Sequence, residues 1–171
     1  IYPTVRGMAS EGAPYTGFLY AGLMIDKDGT PKVIEYNCRF GDPETQPIMM
    51  RMESDLVDLC LAAIDEKLDQ MESKWDPRAS IGIVLAAGGY PAGYDKGNVI
   101  SGLPQAELNG EKVFHAGTSN KDGDIVTNGG RVLCATALGN SVSEAQQRAY
   151  ELAKPISCLL YTSPSPRDSS K

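Results

Sequence analysis

The chain has 171 residues, room for one large domain or two small ones. Its hydrophobic fraction of 42% is ordinary for a soluble globular protein. A net charge of −6, with both signs interspersed, argues against general nucleic-acid binding, which needs a basic patch to displace counterions. No apolar run is long enough to span a bilayer, so no membrane partner is expected.

Ile1-Tyr2-Pro3 has neither an initiator Met nor a basic region leading into an apolar stretch. It is not a signal peptide, and the expectation is a chain that starts inside a longer protein. Cys38, Cys60, Cys134 and Cys158 are widely spaced, with no C-x-x-C pair. Without a secretory signal they read as reduced, mostly buried thiols. The only histidine is His115, which leaves no zinc-type ligand cluster.

Residues 1–14 read as the end of a helix and a loop, with Gly7, Gly12 and Pro14 as breakers. Phe18 to Asp26 is nearly unbroken apolar sequence, the pattern of a strand covered on both faces. Asp26-Lys27-Asp28-Gly29-Thr30-Pro31 follows as a turn, and a partner strand begins at Val33. The D-x-D spacing of that turn also opens calcium loops. Its Gly stands fourth rather than sixth, however, and strands rather than helices flank it, so a plain hairpin is expected. Asn120-Lys121-Asp122-Gly123-Asp124 is read the same way.

In Val33-Ile34-Glu35-Tyr36-Asn37-Cys38-Arg39-Phe40 the side chains alternate. Ile34, Tyr36, Cys38 and Phe40 share a face that wants a core, whereas Glu35, Asn37 and Arg39 line the other. Mg²⁺ takes hard oxygen ligands, commonly one or two from protein with the rest from phosphate and water. Glu35 and Asn37 can supply two from one strand face, and Arg39, one repeat further on, can grip phosphate oxygens bidentately. A half-exposed strand with solvated polar residues would show the same alternation.

Further on, Ser54 can cap a helix from about Asp55 to Leu68, with Leu56, Leu59, Cys60, Ala63, Lys67 and Leu68 at helical spacing. Met71 to Arg78 is a polar connection and the expected domain boundary, giving domains of 1–74 and 75–157. Strands are expected over Ala79–Ala87, Lys112–Ala116 and Arg131–Leu138, with a turn at Asn128-Gly129-Gly130. Ser141-Val142-Ser143-Glu144 fits a capping box opening a helix with Val142, Ala145, Ala149, Leu152 and Ile156 on one face. Residues 158–171 form a Ser/Pro-rich stretch without periodicity, read as a non-native or disordered tail and set aside from the fold.

Glu35-Tyr36-Asn37-Cys38-Arg39-Phe40-Gly41-Asp42-Pro43-Glu44-Thr45-Gln46-Pro47 closely resembles the metal-binding strand and following loop of the ATP-grasp ligases. Within that superfamily it resembles the phosphoribosylamine–glycine ligase family. The likeness extends to Thr4–Met8, Tyr15–Met24, Ala86–Pro91, His115–Thr118 and Thr127–Leu133, several linked blocks rather than one short motif. It implies an α+β fold: the C-terminal part of an ATP-grasp domain, an antiparallel sheet with packed helices, followed by a small mixed β/α domain.

It also implies a cytoplasmic, monomeric enzyme of purine biosynthesis that uses ATP and Mg²⁺ or Mn²⁺ to join glycine to 5-phosphoribosylamine. Glu35 and Asn37 match the family's metal ligands, and Arg39 matches a position near the transferred phosphate. Asp42 and Glu44 would either orient the amine or hold their loop by local bonds. Gly129, Gly130 and Arg131 would meet the ribose phosphate, with an ordinary hairpin turn and surface arginine as the alternative. His115 is expected to be structural. The resemblance places the adenine- and triphosphate-gripping residues upstream of Ile1, so the chain alone is not expected to turn over. Another ATP-grasp ligase, such as a biotin carboxylase-like enzyme, or a non-catalytic nucleotide-binding module remain the other readings.

Overall fold

Every named strand pairing is antiparallel, and helices precede, separate and follow the strands, a mixed α/β arrangement. The computed structural model describes residues 1–106, 108–157 and 160–162. The chain divides into two compact units: residues 1–45 with 52–75, and 46–51 with 76–171. No helix among the described residues is long and apolar enough to cross a membrane.

The first unit opens with helix α1, Tyr2–Ser10. Pro3 suits its first turn, where the missing N–H costs nothing. Gly7 lies inside this helix rather than ending it, a correction to the breaker assignment. Strands β1 (Tyr20–Ile25) and β2 (Pro31–Asn37) form a two-stranded hairpin. Its turn closes with Asp26 N–H donating to Thr30 O at 2.9 Å, and Gly29 supplies a φ of 85°.

Both strands are shorter than their sequence patterns, and neither apolar face is fully covered. Leu23, Met24, Ile25 and Val33 are exposed, and Ile34 is 65% exposed. A two-stranded ribbon offers no second layer of its own, so the expected two-sided burial of β1 is not found.

Helix α2 (Thr45–Arg51), which the sequence patterns had not revealed, crosses from the first unit to the second. Its Pro47 packs near Gly82, and Arg51 Nε donates to Asp76 O at 3.0 Å. Those contacts group residues 46–51 with the second unit. Helix α3 (Leu56–Ile64) keeps the expected inner face of Leu56, Leu59, Cys60 and Ala63, all half-buried. The cap is Asp55, whose side chain accepts from Val57 N and Asp58 N; Ser54 Oγ instead accepts from Lys74 N at 2.7 Å. The helix also stops at Ile64 rather than Leu68, because Glu66 adopts a left-handed φ of 58° and a 3₁₀ turn follows at Leu68–Gln70.

The second unit is built on a four-stranded sheet. Its strands are β3 (Ala79–Ala87), β4 (Glu111–His115), β7 (Arg131–Gly139) and β8 (Leu160–Thr162), in the order β4-β7-β3-β8. β5 (Thr118–Lys121) and β6 (Asp124–Thr127) form a separate hairpin. Its two turn residues, Asp122 (φ 54°) and Gly123 (φ 95°), have the paired positive φ of a two-residue hairpin turn. The calcium-like spacing there is thus a hairpin, as expected.

β7 is buried from Val132 through Gly139, which fits a strand covered on both faces. Helix α4 (Val142–Ala153) lays Ala145, Ala149, Leu152 and Ala153 toward the core. Ser141 Oγ accepts from Glu144 N at 3.1 Å, while Glu144 Oε2 reaches back to Asn140 N at 2.8 Å. The reciprocal bond of the capping box therefore lands one residue earlier than the usual N-cap amide. Of residues 158–171, only Leu160–Thr162 fall within the described residues, and their backbone pairs with β3. The assignment of the remainder as a tail, and of Cys158 as a thiol, lies outside them.

Candidate active site

The turn at Asp26–Thr30, together with a β-bulge between Gly22 and Leu23, sets the register that builds the site. It places Tyr20 opposite Asn37 and Gly22 opposite Glu35. Cross-strand partners share a face, so Glu35 and Asn37 emerge together beside Tyr20. Asn37 Nδ2 donates to Glu35 Oε1 at 3.0 Å. Gly22 gives Glu35 its space, since a Cβ there would stand 3.0 Å from Glu35 Cγ.

β2 ends at Asn37. Cys38 and Arg39 lie in a bend, so the expected alternation through Phe40 breaks off. The reason is local: β1 begins at Tyr20, the partner of Asn37, and offers no ladder beyond it. The Phe40 ring instead meets Phe18, with centroids 4.2 Å apart. Arg39 is consequently not the next residue along the strand face. Its Nη1 donates to Phe40 O at 2.9 Å. Cys38 is exposed, contrary to the expectation of mostly buried thiols; Cys60 is half-buried and Cys134 buried.

Beyond the bend, Gly41 is buried and Asp42 exposed. Glu44 folds back so that its Oε2 lies 2.5 Å from where a Gly41 Cβ would stand. Its Oε1 accepts from Tyr20 Oη at 3.2 Å. The Glu44 charge, then that hydrogen bond, holds the Tyr20 phenol above its ordinary 10.0; partial desolvation and Glu35 add to the effect and Arg39 opposes it. Tyr20 therefore senses Glu44, Glu35 and Arg39 at once. Sequence reading treated it as one more apolar strand position. Turn register alone would not have found it: the pairing Ile25–Pro31 to Leu23–Val33 would continue to Tyr20 opposite Tyr36, and only the bulge between Gly22 and Leu23 moves Tyr20 across from Asn37.

Gly129, Gly130 and Arg131 lie in the other unit. The Asn128–Gly130 turn does not join a hairpin: it leads from β6 into β7, which belong to different sheets. Its glycines answer to close packing rather than positive φ. A Cβ on Gly129 would approach Gly117 Cα to 2.9 Å, and Gly130 is buried under the Tyr90 ring. Gly130 O accepts from Ala87 N at 2.8 Å. Arg131 is exposed at the start of β7. His115 Nδ1 lies 3.1 Å from Thr118 Oγ1 on the exposed end of β4.

Glu35 and Asn37 offer what a hard divalent cation needs from protein, a carboxylate oxygen and an amide oxygen on one exposed face. Rotating the Asn37 amide about its terminal bond exchanges Nδ2 for Oδ1 beside Glu35, as a cation would require. Among the described residues no group of three or more His, Cys, Asp or Glu side chains converges. The donor set therefore fits an ion completed by phosphate and water, not one enclosed by protein alone.

Residues 1–45 match the family described as phosphoribosylglycinamide synthetase, ATP-grasp (A) domain, and residues 80–160 its C domain. The chain is 93% identical over 157 residues to the phosphoribosylamine–glycine ligase of Vibrio parahaemolyticus, covering 92% of this chain and 37% of that protein. It is 69% identical over 157 residues to the Escherichia coli enzyme of the same name, covering 91% of this chain and 37% of that one. The crystal structure of phosphoribosylamine–glycine ligase from Thermotoga maritima superposes with a TM-score of 0.77 at 41% identity, over 89% of this chain and 37% of that structure. The chain thus spans little more than a third of the length of the curated relatives it matches. On these matches, the chain belongs to the phosphoribosylamine–glycine ligase family.

Proposed function

We propose that this chain is part of an enzyme that joins glycine to 5-phosphoribosylamine with ATP, giving glycinamide ribonucleotide, ADP and phosphate. The supporting observation is the pair Glu35 and Asn37, side chains in contact at 3.0 Å on an exposed strand face, in a chain 93% identical to a phosphoribosylamine–glycine ligase.

A carboxylate is a poor electrophile at neutral pH. In this reading the glycine carboxylate attacks the γ-phosphoryl of ATP, forming glycyl phosphate and releasing ADP. The amine of phosphoribosylamine then attacks the acyl carbon, an amide bond forms, and phosphate leaves with the bonding pair. Phosphoryl transfer of this kind depends on positioning and charge stabilisation more than on covalent help from protein.

Glu35 and Asn37 would hold a magnesium or manganese ion, which would neutralise charge on the nucleotide phosphates. Arg39 swings from Phe40 O to the transferred phosphoryl group, where its fork matches the phosphate oxygens. Asp42 stands exposed at the tip of the same loop and is the better placed of the two loop carboxylates to meet the incoming amine. Glu44 holds the loop. Gly129, Gly130 and Arg131 contribute to the ribose-phosphate subsite, with Arg131 as the charge partner. The enzyme acts as a cytoplasmic monomer, and the 171-residue chain is inactive by itself.

The test is a product assay on the full-length enzyme, with ATP and a divalent cation supplied. ADP release must require glycine, and glycinamide ribonucleotide must appear only when phosphoribosylamine is added. Dependence on a different acid would shift the assignment to another ATP-grasp ligase. Nucleotide hydrolysis indifferent to both substrates would leave a nucleotide-binding module.

A further inference from the structure

Tyr20 meets the segment 37–44 at both of its ends. Its backbone lies opposite Asn37 in the last rung of the β1–β2 ladder. Its hydroxyl donates to Glu44 Oε1 at 3.2 Å. Between those anchors run Cys38, Arg39 and Phe40, which have left the ladder, and the Gly41–Asp42–Pro43 loop. Residues just before Tyr20 touch the same segment: the Phe18 ring rests on Phe40. Tyr15 donates to Phe18 O at 2.6 Å, and its phenol is raised above the ordinary value by partial desolvation and then by its neighbour Cys38.

A bend outside any ladder has no regular hydrogen bonds to fix it, so its shape depends on side-chain contacts. Tyr20 reaches both ends of the segment, through its backbone at Asn37 and through its hydroxyl at Glu44. Glu44 is seated at the far end by Gly41, where a side chain would collide with its carboxylate.

We propose that Tyr20 is a positioning residue that clasps the two ends of the 37–44 segment and so fixes Arg39 and Asp42 for the ligase reaction. The role in catalysis rests on the function proposed above; the clasp itself does not. Tyr20 touches no reacting atom. It acts through Glu44 and through the register it shares with Asn37. Losing the hydroxyl leaves the aromatic ring and the ladder in place but frees the Glu44 end, so the loop samples more conformations while the strand stays paired.

The experiment compares wild-type full-length enzyme with Tyr20→Phe, Glu44→Ala and the double variant. Amide hydrogen exchange is followed in peptides covering residues 38–45, where Thr45 N–H is bonded to Gly41 O at 3.0 Å, and in peptides covering 31–37. In Tyr20→Phe, exchange across 38–45 is expected to quicken about tenfold, the scale of one hydrogen bond to a charged acceptor, with 31–37 unchanged. Turnover should fall by about the same factor, with the KM for the metal–nucleotide altered less than about twofold. The double variant should be no worse than the poorer single one, because both remove the same bond.

Unchanged exchange in 38–45, quickened exchange in both regions, or fully additive losses would overturn the clasp. If the wild-type enzyme lacks glycine-dependent turnover, the catalytic role falls with the proposed function, and the exchange measurements still decide whether the clasp exists.

Discussion

Asn37 donates its side-chain amide to Glu35 Oε1 at 3.0 Å, and both groups stand on the same face of strand β2. A carboxylate and an amide held this close can supply two oxygens to one hard cation. Glu35→Gln keeps the shape of the pair and removes its charge. In the full-length enzyme, the divalent cation needed for half-maximal rate is expected to rise at least about tenfold, since charge-assisted contacts exceed neutral ones by about that much. A magnesium titration of the variant that overlays the wild-type curve would rule out Glu35 as a ligand.

Gly22 is the cross-strand partner that makes Glu35's position possible. A methyl group there would crowd Glu35 Cγ at 3.0 Å, so Gly22→Ala should displace the carboxylate without touching its charge. The expected outcome is a weaker apparent metal affinity with unfolding shifted by no more than about 1 kcal/mol, as the hairpin face is exposed and can give. Metal affinity equal to wild type would mean that Glu35 relaxes freely and that Gly22 has no positioning part.

How much of this was legible beforehand depended on whether the decisive contact was local. The β3 and β7 strands could be read because their runs of apolar and small residues are nearly continuous, β7 being buried on both faces, and α4 because its cap and its small-residue stripe agree. Asp55 and Ser54 show the limit: either residue type caps a helix, and which does so depends on Lys74, twenty positions away, whose amide takes Ser54 Oγ. The alternation from Val33 to Phe40 overshot for a similar reason. It is a true pattern, but a strand extends only as far as its partner, and the partner begins at Tyr20. Glu35 and Asn37 could be paired from spacing alone, whereas the Tyr20–Glu44 bond depends on a loop folding back, which no period encodes.

Gly130 and Gly123 are both glycines of turns, yet they are constrained differently. Gly130 lies under Tyr90, whose Cδ2 would be 2.2 Å from an added Cβ. Gly123 faces open space but holds a φ of +95°. Gly130→Ala is expected to cost about 1–3 kcal/mol through overpacking, and replacing Tyr90 by Ala in the same chain should recover part of that loss. Gly123→Ala is expected to cost about 1 kcal/mol from backbone strain, with no such rescue. Urea unfolding of Gly130→Ala, Tyr90→Ala, their double variant and Gly123→Ala checks this, and equal losses from Gly130→Ala with and without Tyr90 would refute the packing account.

Asp76 lies where the second unit begins to fold on itself. Both its oxygens accept from Arg78: Nε contacts Oδ1 at 3.0 Å and Nη2 contacts Oδ2 at 2.6 Å. Its backbone also ties to Arg51, which donates from Nε to Asp76 O and accepts from Asp76 N. The Arg78 side chain, followed by the Arg78 amide, lowers the Asp76 carboxyl from 3.8 to about 2. A carboxyl depressed in the folded state stabilises it above its unfolded value, and the contribution is lost as pH falls from near 4 through about 2. The wild-type chain should therefore lose stability over that acid interval more steeply than Asp76→Asn, which has no proton to take up there. At neutral pH the variant is the less stable of the two, and the curves converge as the acid limb is descended. Parallel curves from neutral pH to pH 2 would show that the Arg78 pair contributes nothing to folding.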